Sequence, residues 1–243
     1  MARLARDARS LVSVLIDPRG TIRLAIDRPS PVWVAVLLLG AAALLGLGTL
    51  PRQLALLETA LPIPPEPMLA AQQEMLRDGL TRLILLDRLF PQPAVLVGAG
   101  LLVLLAEPVL MLARDRRAAL VAVAIVGVAP LLVDRFGQLV LCMLVPAHEV
   151  ASPAEAIRLP HRFVTGPLAL WRAPSPAPSW LELLNARVNL ISLWCVALWV
   201  VGIRELSGGK WAVWQLTLPV ASLAAAGVVT WAVAPWVLSM LLR

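Results

Sequence analysis

The chain has 243 residues, 60% of them hydrophobic and only 15% charged, with a mean hydropathy of +0.83 and a formal net charge of +6. Soluble domains carry about a quarter charged residues, so this composition excludes an ordinary water-soluble globule. It equally excludes a disordered chain, a disulfide scaffold and a nucleic-acid-binding tail. The apolar residues gather in long stretches, and the expected fold class is all-α: a polytopic integral membrane bundle of five transmembrane helices with an N-terminal amphipathic helix.

In residues 3–16, Leu4, Ala8, Leu11, Val12 and Leu15 recur at helical spacing while Arg3, Arg6, Asp7 and Arg9 lie off that stripe. The pattern predicts an amphipathic helix on the cytoplasmic surface, with Arg3, Arg6, Arg9, Leu11 and Leu15 as a surface for lipid or a partner, or else a plain interfacial anchor. The apolar run 11–16 is too short for a signal-peptide core, and Asp17-Pro18-Arg19-Gly20 turns the chain.

A spanning helix needs about 20 apolar residues. The first candidate, 31–50, starts after Pro29 and ends at Pro51; the second, 93–113, stops at the Arg114-Asp115-Arg116-Arg117 turn. The third, 118–133, is marginally long and borrows from the apolar run after Asp134-Arg135. The fourth, 188–206, is followed by Ser207-Gly208-Gly209, and the fifth begins at Trp211 and runs to Ala234 or beyond Pro235. Residues 1–30 are expected as a cytoplasmic segment and 31–243 as the membrane domain, with long outer loops at 51–92 and 134–187. Leu69, Leu76, Leu80 and Leu83 predict a helix inside the first loop, whereas the prolines at 146, 153, 160, 167, 174, 176 and 178 forbid a long one in the second.

Cations set the expected orientation. They are densest in three short stretches: Arg3 to Arg28, Arg114 to Arg117, and Arg204 with Lys210. That density puts the N-terminus in the cytoplasm and the C-terminus outside. Trp33, Trp180, Trp211, Trp214 and Trp236 fall near span ends, where indole rings favour the headgroup level. Lys210 is the lone lysine among many arginines, and with the heavy Ala, Leu and Pro usage this is the composition of a GC-rich bacterial genome, so the expected location is a bacterial cytoplasmic membrane.

Glu107 lies well inside a span, two turns from Arg114, and is the first candidate for an ion relay or for an anchoring hydrogen bond. Asn185, Asn189 and Ser192 share one helical face leading into the fourth span, expected to meet other helices or to line a substrate route. Cys142 and Cys195 sit in apolar runs without metal-ligand spacing, and His148 and His161 lie in the proline-rich loop. No nucleophile–base pair, phosphate loop or metalloprotease signature accompanies them, so no catalytic residue, metal or cofactor is expected, and the chain is not expected to be an enzyme.

Three stretches carry a likeness: LVSVLIDPRGTIRLAIDRPSP before the first span, AALVAVAIVGVAPLLVDRFGQLVL with its Pro130, and NARVNLISLWCVALWVVGIRELSGGKWAVWQLTLPVA with Asn189, Trp194, Leu198, Gly202, Ser207 and Lys210. Together they resemble the Yip-domain family of five-span membrane proteins. Eukaryotic members of that family are membrane organisers associated with small GTPases and vesicle traffic, so the resemblance implies a fold and a location. The expected function is non-enzymatic: organising or recruiting partners in the bilayer, with membrane lipids and a membrane-protein partner or a second copy as partners and no nucleic acid. The alternative is a transporter or channel component whose polar route uses Glu107 and the Asn189/Ser192 face.

Overall fold

The computed structural model describes residues 13–61, 67–89, 93–110, 114–146, 148, 150, 152–159, 189–208 and 212–241, and among them every regular element is helical. The helices are α1 (Pro18–Asp27), α2 (Pro31–Ala60), α3 (Pro67–Leu89), α4 (Pro93–Leu110), α5 (Arg114–Val126), α6 (Pro130–Leu144), α7 (Pro153–Arg158), α8 (Leu190–Leu206) and α9 (Trp214–Leu241). Six of them begin at a proline. Proline costs nothing at a first helical position, where its missing N–H would have no partner anyway.

The chain forms two compact units, Met1–Gly40 with Gln92–Leu132 and Val164–Ala232, and Ala41–Pro91 with Val133–Phe163 and Val233–Arg243. In the first, α5 packs on α1, α4 and α8, and α8 also packs on α1. Its core includes Ile22, Leu38, Leu102, Leu120, Val123, Leu131, Trp199 and Ile203. Trp199 is the largest fully buried side chain, and its indole Nε1 donates to the Ala124 carbonyl at 3.0 Å.

That bond follows from the way α5 stops. Pro130 has no N–H for the Val126 carbonyl, which instead accepts from Ala129 N at 3.1 Å, and Val128 N tightens onto Ile125 O at 3.0 Å. The shift to three-residue bonding takes the usual amide partner from Ala124, and the indole fills the place. Gly127 makes this possible, because a Cβ there would collide with the Trp199 ring.

The second unit gathers Leu56, Leu57, Ile84, Cys142, Val150, Ala156 and Leu159. Arg52 Nη2 donates to the Val145 carbonyl at 3.1 Å and Gln53 Nε2 to the Ala156 carbonyl at 3.2 Å. Gly46 lets α2 approach the backbone of Arg88, which any larger residue would displace.

Among the described residues two helical runs are long and apolar enough to cross a membrane, Pro31–Ala60 and Arg116–Leu144; Ala94–Leu110 and Trp214–Thr230 are apolar but shorter. Two expectations change. The first apolar stretch does not end at Pro51: α2 continues to Ala60, because the next two turns bury Gln53, Leu56 and Leu57 while Pro51 itself stays exposed. The third extends to Leu144 with Asp134 and Arg135 buried inside it, so the loop expected from residue 134 begins only after α6. Within the expected surface segment 1–30, Val14, Thr21 and Ile22 are buried in the first unit.

Two helices turn polar residues inward and apolar ones outward. Along α9 the buried residues Gln215, Ser222 and Ala226 follow one face while Leu216, Val220, Val228 and Val229 are exposed. On α6, Asp134, Arg135 and Gln138 are buried and Phe136, Val140, Met143 and Leu144 exposed.

Replacing Trp199 by Phe keeps the bulk and removes the donor to Ala124. It should lower unfolding stability in detergent micelles by about 1–3 kcal/mol, the cost of a stranded buried carbonyl. Trp199→Ala should cost about 3–5 kcal/mol, read from denaturant midpoints; an unchanged midpoint in Trp199→Phe would mean the indole N–H contributes nothing.

Candidate functional site

The densest set of polar contacts in the first unit lies where α1, the C-terminus of α8 and the start of α5 meet. Asp17 caps α1, its Oδ1 accepting from Gly20 N at 3.0 Å, and the helix then places Arg19 and Arg23 one turn apart on one face. Arg19 Nε donates to Glu205 Oε1 at 2.7 Å and Arg23 Nε to Glu205 Oε2 at 2.9 Å. A carboxylate in the last turn of a helix opposes the helix dipole, and the two guanidiniums offset that opposition.

The α8 terminus is closed from several sides. Arg116 Nη1 donates to the Leu206 carbonyl at 3.3 Å, Ser207 N to Ile203 O at 3.0 Å, and Gly208, at φ +81°, to Glu205 O at 3.3 Å. A positive φ there favours glycine, which has no Cβ to clash. Beside it Arg117 Nε pairs with Glu107 Oε1 at 2.7 Å. The N-terminal lead-in, the α5 start and the α8 end, three separate cationic stretches of the sequence, thus meet at one end of this unit.

Glu107 is therefore an ion-pair partner of Arg117, with a third of its side chain exposed. Asn189 and Ser192 form a closed capping box at the opposite end of α8: Asn189 Oδ1 accepts from Ser192 N at 2.8 Å, and Ser192 Oγ accepts from Asn189 N at 3.0 Å. Arg116 fixes Glu107's neighbourhood to the Leu206 end of that helix, so about 17 residues of helix, roughly 25 Å, separate the two sets. They are not brought together. Leu15 is half-buried against the first unit's core. Asn185, Arg3, Arg6, Arg9, Leu11 and His161 lie outside the described residues, and His148 is exposed. Among the described residues no three His, Cys, Asp or Glu side chains gather as metal ligands.

The second unit holds a buried polar cluster built on residues of α3 and α6. Arg88 Nη1 and Arg135 Nη1 both donate to Gln138 Oε1 at 2.9 Å, and Gln138 Nε2 donates to Asp134 Oδ2 at 2.9 Å. All four side chains are buried. The cluster ties the last turn of α3 to α6. Its signal was present: Leu131, Asp134, Arg135, Gln138 and Cys142 continue one helical face across the charged pair. A cleft of about 200 Å³ in the same unit is lined by Leu54, Leu57, Glu58, Arg77, Asp78 and Thr81, with Arg77 and Glu58 ion-paired. It is smaller than ordinary small-molecule sites, which run about 300–1,000 Å³.

No family model, curated protein or solved structure matches this chain.

Gln138→Leu removes the acceptor shared by two buried guanidiniums and the donor to Asp134. It should destabilise the protein by about 3–5 kcal/mol, as expected when a buried charged network loses one member. Glu107→Gln, at a partly exposed pair, should cost less than about 1 kcal/mol. Chemical unfolding of both variants in detergent checks the contrast.

Proposed function

We propose that this chain is a five-span, Yip-like integral membrane protein that organises or recruits partners in the bilayer and performs no chemistry of its own. The observation that carries the reading is the inverted polarity of α6 and α9, with polar side chains inward and Leu, Val, Phe and Met outward. A helix that is apolar toward its surroundings and polar or small toward its neighbours is suited to lipid, where close packing and internal hydrogen bonds replace the hydrophobic drive. In this reading α4, α8 and α9, each apolar and 17 residues or longer, complete the five spans. The end bearing Arg19, Arg23, Arg116 and Arg117 faces the cytoplasm, with the N-terminus on the same side.

Recruitment is favoured over transport because the groups available for a polar route are engaged locally. Glu107 is held by Arg117, and Asn189 with Ser192 closes on itself at the far end of α8. Partner binding falls to surfaces: the apolar helix faces and the segment before residue 13.

The protein should stay in the membrane pellet after alkaline carbonate washing; release into the supernatant would sink the integral-membrane reading. Deleting residues 1–12 should deplete proteins that copurify from native membrane while the melting temperature stays unchanged. Deleting residues 1–28 should also unfold the first unit, because Val14 and Ile22 belong to its core. An unchanged set of copurifying proteins after the shorter deletion counts against recruitment through this segment.

A further inference from the structure

Arg19 and Arg23 are arranged as a prepared fork. Each reaches Glu205 through Nε, and 60% and 55% of their side chains remain exposed while that of Glu205 is 12% exposed. A guanidinium offers planar, paired donors, and engagement through Nε leaves the outer Nη1–Nη2 edge, whose spacing matches two oxygens of a phosphate. The shared carboxylate holds both guanidiniums in place before any ligand arrives, which lowers the ordering cost of binding. Two positive charges against one negative leave the pair cationic. Arg116 and Arg117 add to the positive field at the same end, Arg117 facing the single carboxylate of Glu107.

The segment carrying the fork also exposes two aliphatic side chains among its charges. Ile16, one residue before the Asp17 cap, is 83% exposed, and Leu24, adjacent to Arg23, is 41% exposed. Cationic donors beside exposed aliphatic side chains complement a ligand that joins a phosphate to hydrocarbon. A free phosphate would gain nothing from Ile16 and Leu24. We propose that Arg19 and Arg23, clamped by Glu205, form a binding site for the phosphate of an anionic phospholipid on the face where α1 lies. The site rests on the membrane reading given above, and α1 is then both a structural strap and a lipid sensor, with Arg19 and Arg23 answering to Glu205 on one edge and to the headgroup on the other.

The test uses the full chain in nanodiscs of phosphatidylcholine alone and in nanodiscs doped with phosphatidylglycerol, reading thermal stability and the phosphatidylglycerol retained per protein by native mass spectrometry. The wild-type protein should gain stability with phosphatidylglycerol, since a ligand that binds the folded state raises its melting temperature. R19Q/R23Q should lower the apparent affinity by roughly tenfold per guanidinium removed. R19K/R23K keeps the charge and loses the fork, and should recover only a small part of that affinity. Full recovery by the lysine pair would replace the site by diffuse charge attraction and overturn the proposal. So would an undiminished phosphatidylglycerol effect in R19Q/R23Q, or equal stabilisation by inorganic phosphate in phosphatidylcholine discs. Failure of the chain to enter nanodiscs at all would remove the membrane reading and this site with it, whereas normal entry without a phosphatidylglycerol effect removes the site alone.

Discussion

The constraint on which the structure depends is that its outward surface is apolar along most of the long helices, so polar groups must be met from within. Small hydroxyl side chains bond back onto their own helices: Thr49 Oγ1 to Gly46 O at 2.6 Å, Ser222 Oγ to Leu218 O at 2.8 Å, and Thr230 Oγ1 to Ala226 O at 2.9 Å. Such bonds satisfy each hydroxyl within its own helix. The closed capping box of α8 does the same for that helix's first turn.

Trp199 is the case where the constraint acts at a distance. A proline inside a long apolar run removes one amide, and the tightened turn that follows displaces another from its usual carbonyl. An indole from α8 fills the vacancy, and the glycine opposite it is the only residue size that leaves room. Pro130, Gly127 and Trp199 therefore act as one unit, and the α5–α8 contact is fixed in register by a hydrogen bond as well as by packing.

Much of this was legible in the sequence where the signal was local. The all-α class followed from apolar run length, and the α2 start from Pro29, Pro31 and Trp33. What stayed hidden depends on residues far apart in the chain. Asp134 and Arg135 read as a break because charge in an apolar run normally ends it, whereas Gln138 bonds both of them inside the helix and takes Arg88 from another helix into the same buried cluster. Pro51 read as a stop because proline lacks an amide; the helix continues because Leu56 and Leu57 have a core to enter. Arg19 and Arg23 gave no hint of Glu205, more than 180 residues later. Local pattern fixes where a helix can form, and tertiary partners decide how far it runs.

The two groups of arginines also differ in what they are able to do. Arg88 and Arg135 are buried and oriented by Gln138, so their charge is committed to holding helices; moving either would strand the rest of the cluster. Arg19, Arg23 and Arg117 are more than half exposed, so their pairs add little to stability and their outer edges stay accessible. Weak pairing is what a binding surface requires, because a guanidinium locked by its own protein has nothing left to offer a ligand. The sorting of one residue type into buried ties and exposed, half-satisfied forks follows from burial alone, and it directs the search for partners toward the end of the first unit where α1 lies against α8.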